Sequence, residues 1–299
     1  MKKISYFLSV LVAASLFIAC GSKKANEETA ACNEEGKKEC CEAGEKKCSI
    51  EVPAANGVPA YVILNEPQVD LADFAVDADG YITIFDGETF NGWRGYGKNA
   101  MPGKWTIEDG AIKFNGTGGG EAQEADGGDI MFAYKFKNFE LTFEWKVAKG
   151  SNSGIFFLAQ EIQGEPIYIS SPEYQILDNV NHPDAMEGKN GNRQSASLYD
   201  MLPAKPQNSK PFGEWNTGAI KVYKGSVFHK QNGETVVEYH LWTPKWTEML
   251  QASKFSQENW PLAFELLNNL GGENREGYIG LQDHGDDVWY KNIKVKILD

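Results

Sequence analysis

The sequence is poor in basic residues and in histidine, and it has no cysteine after Cys48. Among its 299 residues, 29 are Lys or Arg, 42 are Asp or Glu and 4 are His, which gives a net charge of -13. Because phosphate backbones are bound by clustered Lys and Arg, this balance argues against a nucleic-acid partner. The glycines at 118–120 lack the Lys and Ser/Thr of a phosphate-binding loop, and there is no Asp-x-Asp-x-Asp-Gly calcium loop.

The first twenty residues have the pattern of an export signal. Met1 is followed by two lysines, and residues 4–19 are apolar apart from three serines. This run is shorter than the ~20 residues that span a bilayer core, so we interpret residues 1–19 as a signal peptide. The step from Ala19 to Cys20 resembles a lipobox, although Phe17 stands where leucine is commonest.

We therefore expect a lipid on Cys20 and an exported chain anchored in the cell envelope, in the periplasm or on the outer-membrane surface. The membrane would then be contacted through the lipid alone. The alternative is an ordinary signal peptide followed by a chance cysteine.

A polar, cysteine-containing tether is predicted over residues 20–58. Between residues 22 and 51 there is almost no large apolar side chain, so hydrophobic burial alone cannot fold this segment. It contains the four remaining cysteines, at positions 32, 40, 41 and 48. In an oxidising compartment these could form disulfides. Because neighbours 40 and 41 are poorly placed to pair with each other, two pairings remain open; a metal knuckle would lack the usual paired Cys-x-x-Cys units.

After a lead-in segment at 59–80, residues 81–299 are predicted to form one β domain. Short runs of β-forming residues, 195–199 among them, alternate with Gly, Asn and Asp, and the run Phe139–Val147 alternates apolar and polar residues throughout. Asp-Gly at 109–110 and Asn-Gly at 232–233 are typical of hairpin turns. The segment 246–254 is the only predicted helix. This pattern indicates an all-β sandwich or jelly roll.

Several segments, in order, resemble the 3-keto-disaccharide hydrolase family, formerly a domain of unknown function. The resemblance covers residues 82–298 and rests on these segments: 85–93 (FDGETFNGW), 150–157 (GSNSGIFF), 173–179 (EYQILDN), 182–185 (HPDA), 197–200 (SLYD), 213–216 (GEWN), 246–255 (WTEMLQASKF) and 280–285 (GLQDHG).

The resemblance implies a concanavalin-like β-jelly roll of two antiparallel sheets with a sugar site on its concave face. It also implies a substrate, a glycoside oxidised to a ketone at C3, and hence an upstream sugar 3-dehydrogenase. A C3 ketone acidifies the hydrogen on C2, so a base can remove it and the C1 substituent can leave by elimination. Addition of water would complete a net hydrolysis. This route needs a base, a group that stabilises the enolate and an acid.

The candidate site residues are concentrated between positions 173 and 184, where acidic, amide and imidazole side chains recur. The catalytic candidates are Glu173, His182, Asp178 and Glu144. The substrate-binding candidates are Gln175, Asn152, Asp200, Gln282 and His284. A divalent cation is a candidate cofactor, with Glu173, Asp178 and His182 as its candidate ligands.

Three alternatives stay open at this stage. The polar cluster could be an ordinary strand edge, and Glu144 could lie on a solvated outer face. The domain could bind carbohydrate without catalysis, which a stripe of exposed aromatic residues with only neutral amides would indicate. An ordinary glycosidase would instead require two carboxylates facing each other across a cleft.

Overall fold

Two antiparallel β-sheets packed against each other form the body of the protein. The computed structural model describes residues 48–117 and 126–299. Its strands are β1 (Cys48–Val52), β2 (Tyr61–Asn65), β3 (Ile82–Thr83), β4 (Trp93–Gly95), β5 (Trp105–Glu108), β6 (Ala111–Phe114), β7 (Ile130–Phe136), β8 (Phe139–Val147), β9 (Asn152–Ala159), β10 (Glu173–Leu177), β11 (Asn216–Tyr223), β12 (Ser226–Gln231), β13 (Glu234–His240), β14 (Gly277–Leu281) and β15 (Val288–Ile297).

The strand order confirms the predicted jelly-roll class. One sheet has eight strands, in the order β13-β12-β11-β8-β15-β6-β5, with β3 paired to β15. The other has five strands, in the order β10-β9-β14-β7-β4. Neighbours in both sheets are antiparallel, and most are distant in sequence.

The alternation in β8 sets which side of the larger sheet is buried. Its odd-numbered residues are buried and its even-numbered residues are partly exposed, as the period of two requires. Phe143 of β8 meets Tyr174 of β10 edge-on, with ring centroids 5.3 Å apart. The core therefore lies between the sheets. The predicted turns are also present, with positive φ at Asp109, Gly110, Asn232 and Gly233.

Strands β9 and β10, like β14, are buried at every residue. Tyr174 and Ile176 point into the core, so Glu173 and Gln175 lie on the outward face. In the register between the two strands, Gln175 lies opposite Gly154. The outward face of the smaller sheet thus carries polar side chains that other segments cover.

Two α-helices occur in the described residues, α1 (Pro244–Gln251) and α2 (Pro261–Asn268). Helix α1 begins after Thr243, whose side chain accepts a hydrogen bond from the Trp246 amide, and it matches the predicted helix. Helix α2 was not predicted, because its nearly continuous apolar sequence has no clear helical period. The indole of Trp246 donates to the Leu267 carbonyl at 2.9 Å, which joins the helices.

The end of the predicted tether is structured, which corrects its boundary. Strand β1 pairs with β2 in a two-stranded sheet, and Ile63 of β2 forms a bridge to Ile162 of the main domain. The lead-in segment is thus docked on the jelly roll. The predicted signal peptide, Cys20 and the cysteines at 32, 40 and 41 lie outside the described residues. Within the described ranges, no helix has the length and apolarity needed to cross a membrane.

The predicted strand at 195–199 is a looped segment instead. Only Leu198 forms a β-bridge to Tyr174, and Ala196 and Asp200 have positive φ values of 62° and 60°. These backbone conformations break the extended geometry of a strand. The segment still runs beside β10 and donates from the Tyr199 amide to the Glu173 carbonyl.

A buried ion pair joins the segment that follows β9 to strand β4. Arg94, the middle residue of β4, donates two hydrogen bonds to Glu161, at 2.6 and 2.7 Å, and both side chains are largely buried. Glu161 also accepts from the Gly97 amide at 2.7 Å. Such bidentate pairs are geometrically specific. They are costly to break, because the remaining partner is left as an uncompensated buried charge.

We therefore expect Glu161→Ala to lower the free energy of unfolding by about 3–5 kcal/mol. Glu248→Ala, which removes an exposed pair with Lys245, should cost at most about 1 kcal/mol. Urea unfolding of both variants measures the difference, and equal losses would contradict the role assigned to the buried pair.

Candidate active site

A small pocket lies on the outward face of the five-stranded sheet. Strands β9 and β10 contribute its floor, the loop after β14 contributes one side, and the segments beside β10 contribute the other. The residues that line it are Asn152, Tyr168, Glu173, Gln175, Tyr199, Lys254, Gln282 and His284. Five of them are residues predicted from the sequence, and Tyr168, Tyr199 and Lys254 are additional.

Glu173 lies at the floor of the pocket, and its position depends on a glycine. It is buried, with 7% of its surface exposed. Gly154 is its diagonal neighbour on β9, and a Cβ at Gly154 would overlap the Glu173 carboxylate. A glycine in the GSNSGIFF segment is thus explained by the close approach of an acidic side chain to the β9 backbone.

The amide side chains of the pocket include acceptors that have no partner within the described protein. Asn152 Oδ1 and Gln282 Oε1 are buried and accept no hydrogen bond there. Gln175 is more constrained, since its Nε2 donates to the Arg193 carbonyl at 3.3 Å. Because a buried polar atom without a partner is unfavourable, the two free oxygens mark positions where a ligand hydroxyl could donate.

Lys254 and Tyr199 form the side of the pocket next to β10. The Lys254 ammonium lies 4.5 Å from the centre of the Tyr199 ring and 5.7 Å from that of Tyr168. Burial, reinforced by the charge of Glu173, raises the pKa of Tyr199 well above its ordinary value. Tyr199 therefore stays a hydroxyl donor at neutral pH. Both residues fall in segments that carry the family resemblance, but no role was predicted for them.

Asp200, a predicted substrate-binding residue, does not line the pocket and contacts other parts of the protein. Its Oδ1 accepts from Arg193 Nε at 2.8 Å and its Oδ2 accepts from the Lys254 amide at 2.8 Å. Arg193 also donates to Asp184 at 2.8 Å. With both oxygens engaged and no place in the pocket lining, Asp200 is a positioning residue that ties Lys254 to the loop carrying Tyr199.

Asp178 also does not line the pocket, which corrects its predicted catalytic and metal-binding roles. It is buried, and its carboxylate accepts from the amides of Gly150, Val180 and Asn181 and from the Asn181 side chain, at 2.7 to 3.3 Å. Burial disfavours its charge, but these hydrogen bonds outweigh that effect and lower the pKa of Asp178. The carboxylate organises the loop that leads to His182.

His182 meets His284 at the side of the pocket next to β14. The two rings are edge-on, with centroids 5.7 Å apart. Burial and the neighbouring His284 lower the pKa of His182. One potential ligand atom from each of His182, His284 and Asp286 lies within 4.8 Å of the others. Of the predicted metal ligands Glu173, Asp178 and His182, only His182 belongs to this group. Asp286 was not singled out from the sequence.

Glu144 lies on the other side of the sandwich, which corrects its predicted place in the site. It is on the outward face of β8, in the eight-stranded sheet, where Asn292 donates to it at 2.6 Å and Lys291 lies 3.6 Å away. Strict alternation puts it opposite the buried residues of β8. It therefore cannot reach Glu173.

The pocket combines features of a catalytic site rather than those of a simple lectin surface. Among the eight described residues that line it, Glu173 is the only carboxylate, and it is accompanied by a lysine and a histidine. The aromatic residues are two tyrosines, which do not form an exposed stripe. A β-sandwich with a polar pocket of this kind is typical of carbohydrate-active proteins built on the jelly roll.

Comparisons with known proteins give the family. Residues 80–296 match the model of the 3-keto-alpha-glucoside-1,2-lyase-like domain. The chain is 61% identical, over the full length of both proteins, to a 3-keto-disaccharide hydrolase of Bacteroides thetaiotaomicron. The chain belongs to the 3-keto-disaccharide hydrolase family, whose members cleave glycosidic bonds, and the predicted membership and enzyme class are confirmed.

Solved structures agree with this assignment. A provisionally assigned glycosyl hydrolase from Parabacteroides distasonis superposes with a TM-score of 0.62 at 29% identity, covering 74% of this chain and 95% of the other. A second protein of the same organism and provisional assignment gives a TM-score of 0.51 at 26% identity, covering 73% and 99% of the two chains.

The position of Asp178 predicts an acid-sensitive contribution to stability. Its lowered pKa means that this contribution is complete above the ordinary carboxyl value of about 3.9 and is lost as the pH falls through the folded-state pKa. We expect Asp178→Asn to cost about 1–3 kcal/mol at pH 7. The difference from the unsubstituted protein should shrink in acid. Urea unfolding between pH 3 and pH 7 tests this, and a difference that stays constant with pH would refute it.

Proposed function

We propose that this chain cleaves 3-keto-glycosides, disaccharides among them, by removing the C2 proton and eliminating the C1 substituent. The observation that carries the proposal is the presence of one carboxylate, Glu173, in a pocket that also contains a lysine. An ordinary glycosidase requires two carboxylates. Elimination requires one base and a group that stabilises negative charge on the ketone oxygen. The 61% identical relative, named a 3-keto-disaccharide hydrolase, supports the substrate class.

The reaction can be written with groups already in the pocket. A base takes the C2 proton, and the C–H electrons form an enolate with its charge on the C3 oxygen. The ketone then re-forms as a C1–C2 double bond appears and the bond from C1 to the leaving oxygen breaks. That oxygen takes a proton from the protonated base or from water, and the base returns to its starting state. Water adds across that double bond, which gives a net hydrolysis. The substrate ketone must be supplied by a separate sugar 3-dehydrogenase.

We assign Glu173 as the base and Lys254 as the group that stabilises the enolate. Glu173 is buried at the floor, where the Gly154 backbone leaves space for its carboxylate. Lys254 is held through its backbone by Asp200, so its ammonium is presented from a fixed main-chain position. A positively charged donor in a partly enclosed site stabilises an oxyanion more strongly than it would in water.

The remaining lining residues fit the recognition of sugar hydroxyls. The Tyr199 side chain lines the pocket, and the free oxygens of Asn152 and Gln282 are acceptors. His284 is a further polar group on the β14 side. Donors and acceptors on several sides of a small pocket can select the orientation of a ring.

A chromogenic 3-keto-glucoside tests the function. We expect release of the chromophore from the keto substrate and not from the parent glucoside. Glu173→Gln should reduce kcat by about 10²–10⁴-fold, as expected for the loss of a general base. It should also slow the exchange of the C2 hydrogen in deuterated water. Lys254→Met should reduce kcat by about 10²–10³-fold.

Glu144→Gln is the matched control, because the same change is made on the opposite face of the sandwich. It should leave turnover unchanged. Equal turnover of Glu173→Gln and the unsubstituted protein would refute the assignment of the base. Binding of the keto sugar without cleavage would instead indicate a non-catalytic carbohydrate-binding protein.

We also propose that the chain is exported and anchored through a lipid on Cys20. The motif at residues 1–20 supports this. In a bacterial host, the full chain should enter the detergent phase on Triton X-114 partitioning, whereas Cys20→Ser should remain in the aqueous phase. An unchanged distribution of Cys20→Ser would exclude the anchor.

A further inference from the structure

We propose that His182, His284 and Asp286 bind one divalent transition-metal ion at the β14 side of the pocket. The binding site stands on the geometry of these residues, whereas any part of the ion in catalysis rests on the proposed function. One ligand atom from each residue lies within 4.8 Å of the others. All three residues are partly buried, so an ion could reach them from solvent.

The chemistry of the donors matches first-row transition metals. Two imidazole nitrogens and one carboxylate oxygen suit zinc, iron, cobalt or manganese better than calcium, which prefers a shell of oxygens. Three protein ligands also leave positions for water or substrate, as in catalytic metal sites. The set thus has the composition of an open site rather than of a closed structural one.

The surrounding hydrogen bonds hold the three residues in place before any ion binds. Asp286 accepts from the Asn152 amide at 3.1 Å. The turn that carries His284 and Asp286 is fixed by buried Asp283, which accepts from the Gly285 and Gly128 amides at 2.8 and 2.7 Å. Groups of this kind orient metal ligands and influence affinity.

His182 is held from the other side by the short 3-10 helix Pro183–Met186. The backbone amide of His182 donates to the Asp178 carbonyl at 3.1 Å, and the His182 Nδ1 accepts from the Asp184 amide at 3.2 Å. In the neutral ring, the proton is then on Nε2. Coordination through Nε2 moves that proton to Nδ1 and opens this hydrogen bond, and coordination through Nδ1 displaces it. In either case, metal binding would break only the 3.2 Å hydrogen bond between the Asp184 amide and His182.

A second observation points to a ligand at the same place. The Asn152 side-chain oxygen is in a residue only 3% exposed and accepts no hydrogen bond within the described protein. The backbone of the same residue holds Asp286. A metal-bound water, or a substrate hydroxyl beside the ion, would supply the donor that this oxygen lacks. Because His284 lines the pocket, an ion here would lie close to bound sugar.

The proposal is tested by metal binding rather than by activity. The full chain is treated with a chelator, dialysed, and titrated with Co²⁺ while visible absorption is recorded; Zn²⁺ and Mn²⁺ are measured by calorimetry. We expect one equivalent of Co²⁺ and a rise in Tm with metal. His284→Gln and Asp286→Asn should each weaken binding by about 10–100-fold or more. The double variant should show no metal-dependent rise in Tm.

His240→Gln serves as the control, because His240 is exposed on β13 in the other sheet and should not change the affinity. Circular dichroism in chelator verifies that each variant is folded. If a histidine variant does not fold, the isosteric Asp286→Asn substitution decides the test. Absence of stoichiometric binding, or equal affinity in the folded ligand variants and the unsubstituted chain, overturns the proposal.

The outcome for the metal site is separable from that for the proposed function. Turnover of the keto substrate by a protein that binds no metal would refute the metal site and retain the function. Stoichiometric metal binding without turnover would do the reverse.

Discussion

The burial of β9 and β10 on both faces is the constraint on which the rest of the site depends. One face packs in the core through residues such as Tyr174, and the other carries Glu173 and Gln175 under a cover of loops. Buried polar groups are costly unless they are satisfied. The loops after β9 and β10 therefore have to supply hydrogen bonds as well as coverage. This requirement explains why these connections are long and why they contain charged residues that contact no substrate.

Arg193 shows how the covering loops meet that requirement. It joins Asp184, near the end of the His182 segment, to Asp200, which in turn holds the Lys254 amide. Its guanidinium also lies 5.3 Å from the centre of the Tyr199 ring. Two segments that follow β10 and the segment after α1 are thus connected through the side chains of Arg193 and Asp200. The cation that lines the pocket, Lys254, is positioned through its backbone by this network.

The sequence predicted the local geometry well and the assembly of the site less well. The alternation in β8 and the Asn-Gly turn depend only on neighbouring residues. They could therefore be predicted from the sequence, and the structure confirms both. The same alternation placed Glu144 on a polar face but could not say which sheet that face belonged to. Lys254 reaches the pocket, and Asp286 reaches His182, from segments far from β10 in sequence. No local pattern reveals such a meeting. Asp178 was predicted to be catalytic because the sequence does not distinguish an aspartate that organises a loop from one that takes part in catalysis.

The jelly roll suits elimination as a scaffold because this reaction requires only a small number of groups. On one face of a sheet, every second side chain of each strand points outward. This arrangement is sufficient to place the base Glu173 of β10 beside Gly154 of β9. An oxocarbenium route would need a second carboxylate across the cleft. Under the proposed elimination, the ketone itself lowers the barrier, since the charge develops on an oxygen that a single cation can stabilise. Discrimination against an unoxidised sugar then follows from its C2 acidity, and the pocket does not need to exclude that sugar by shape.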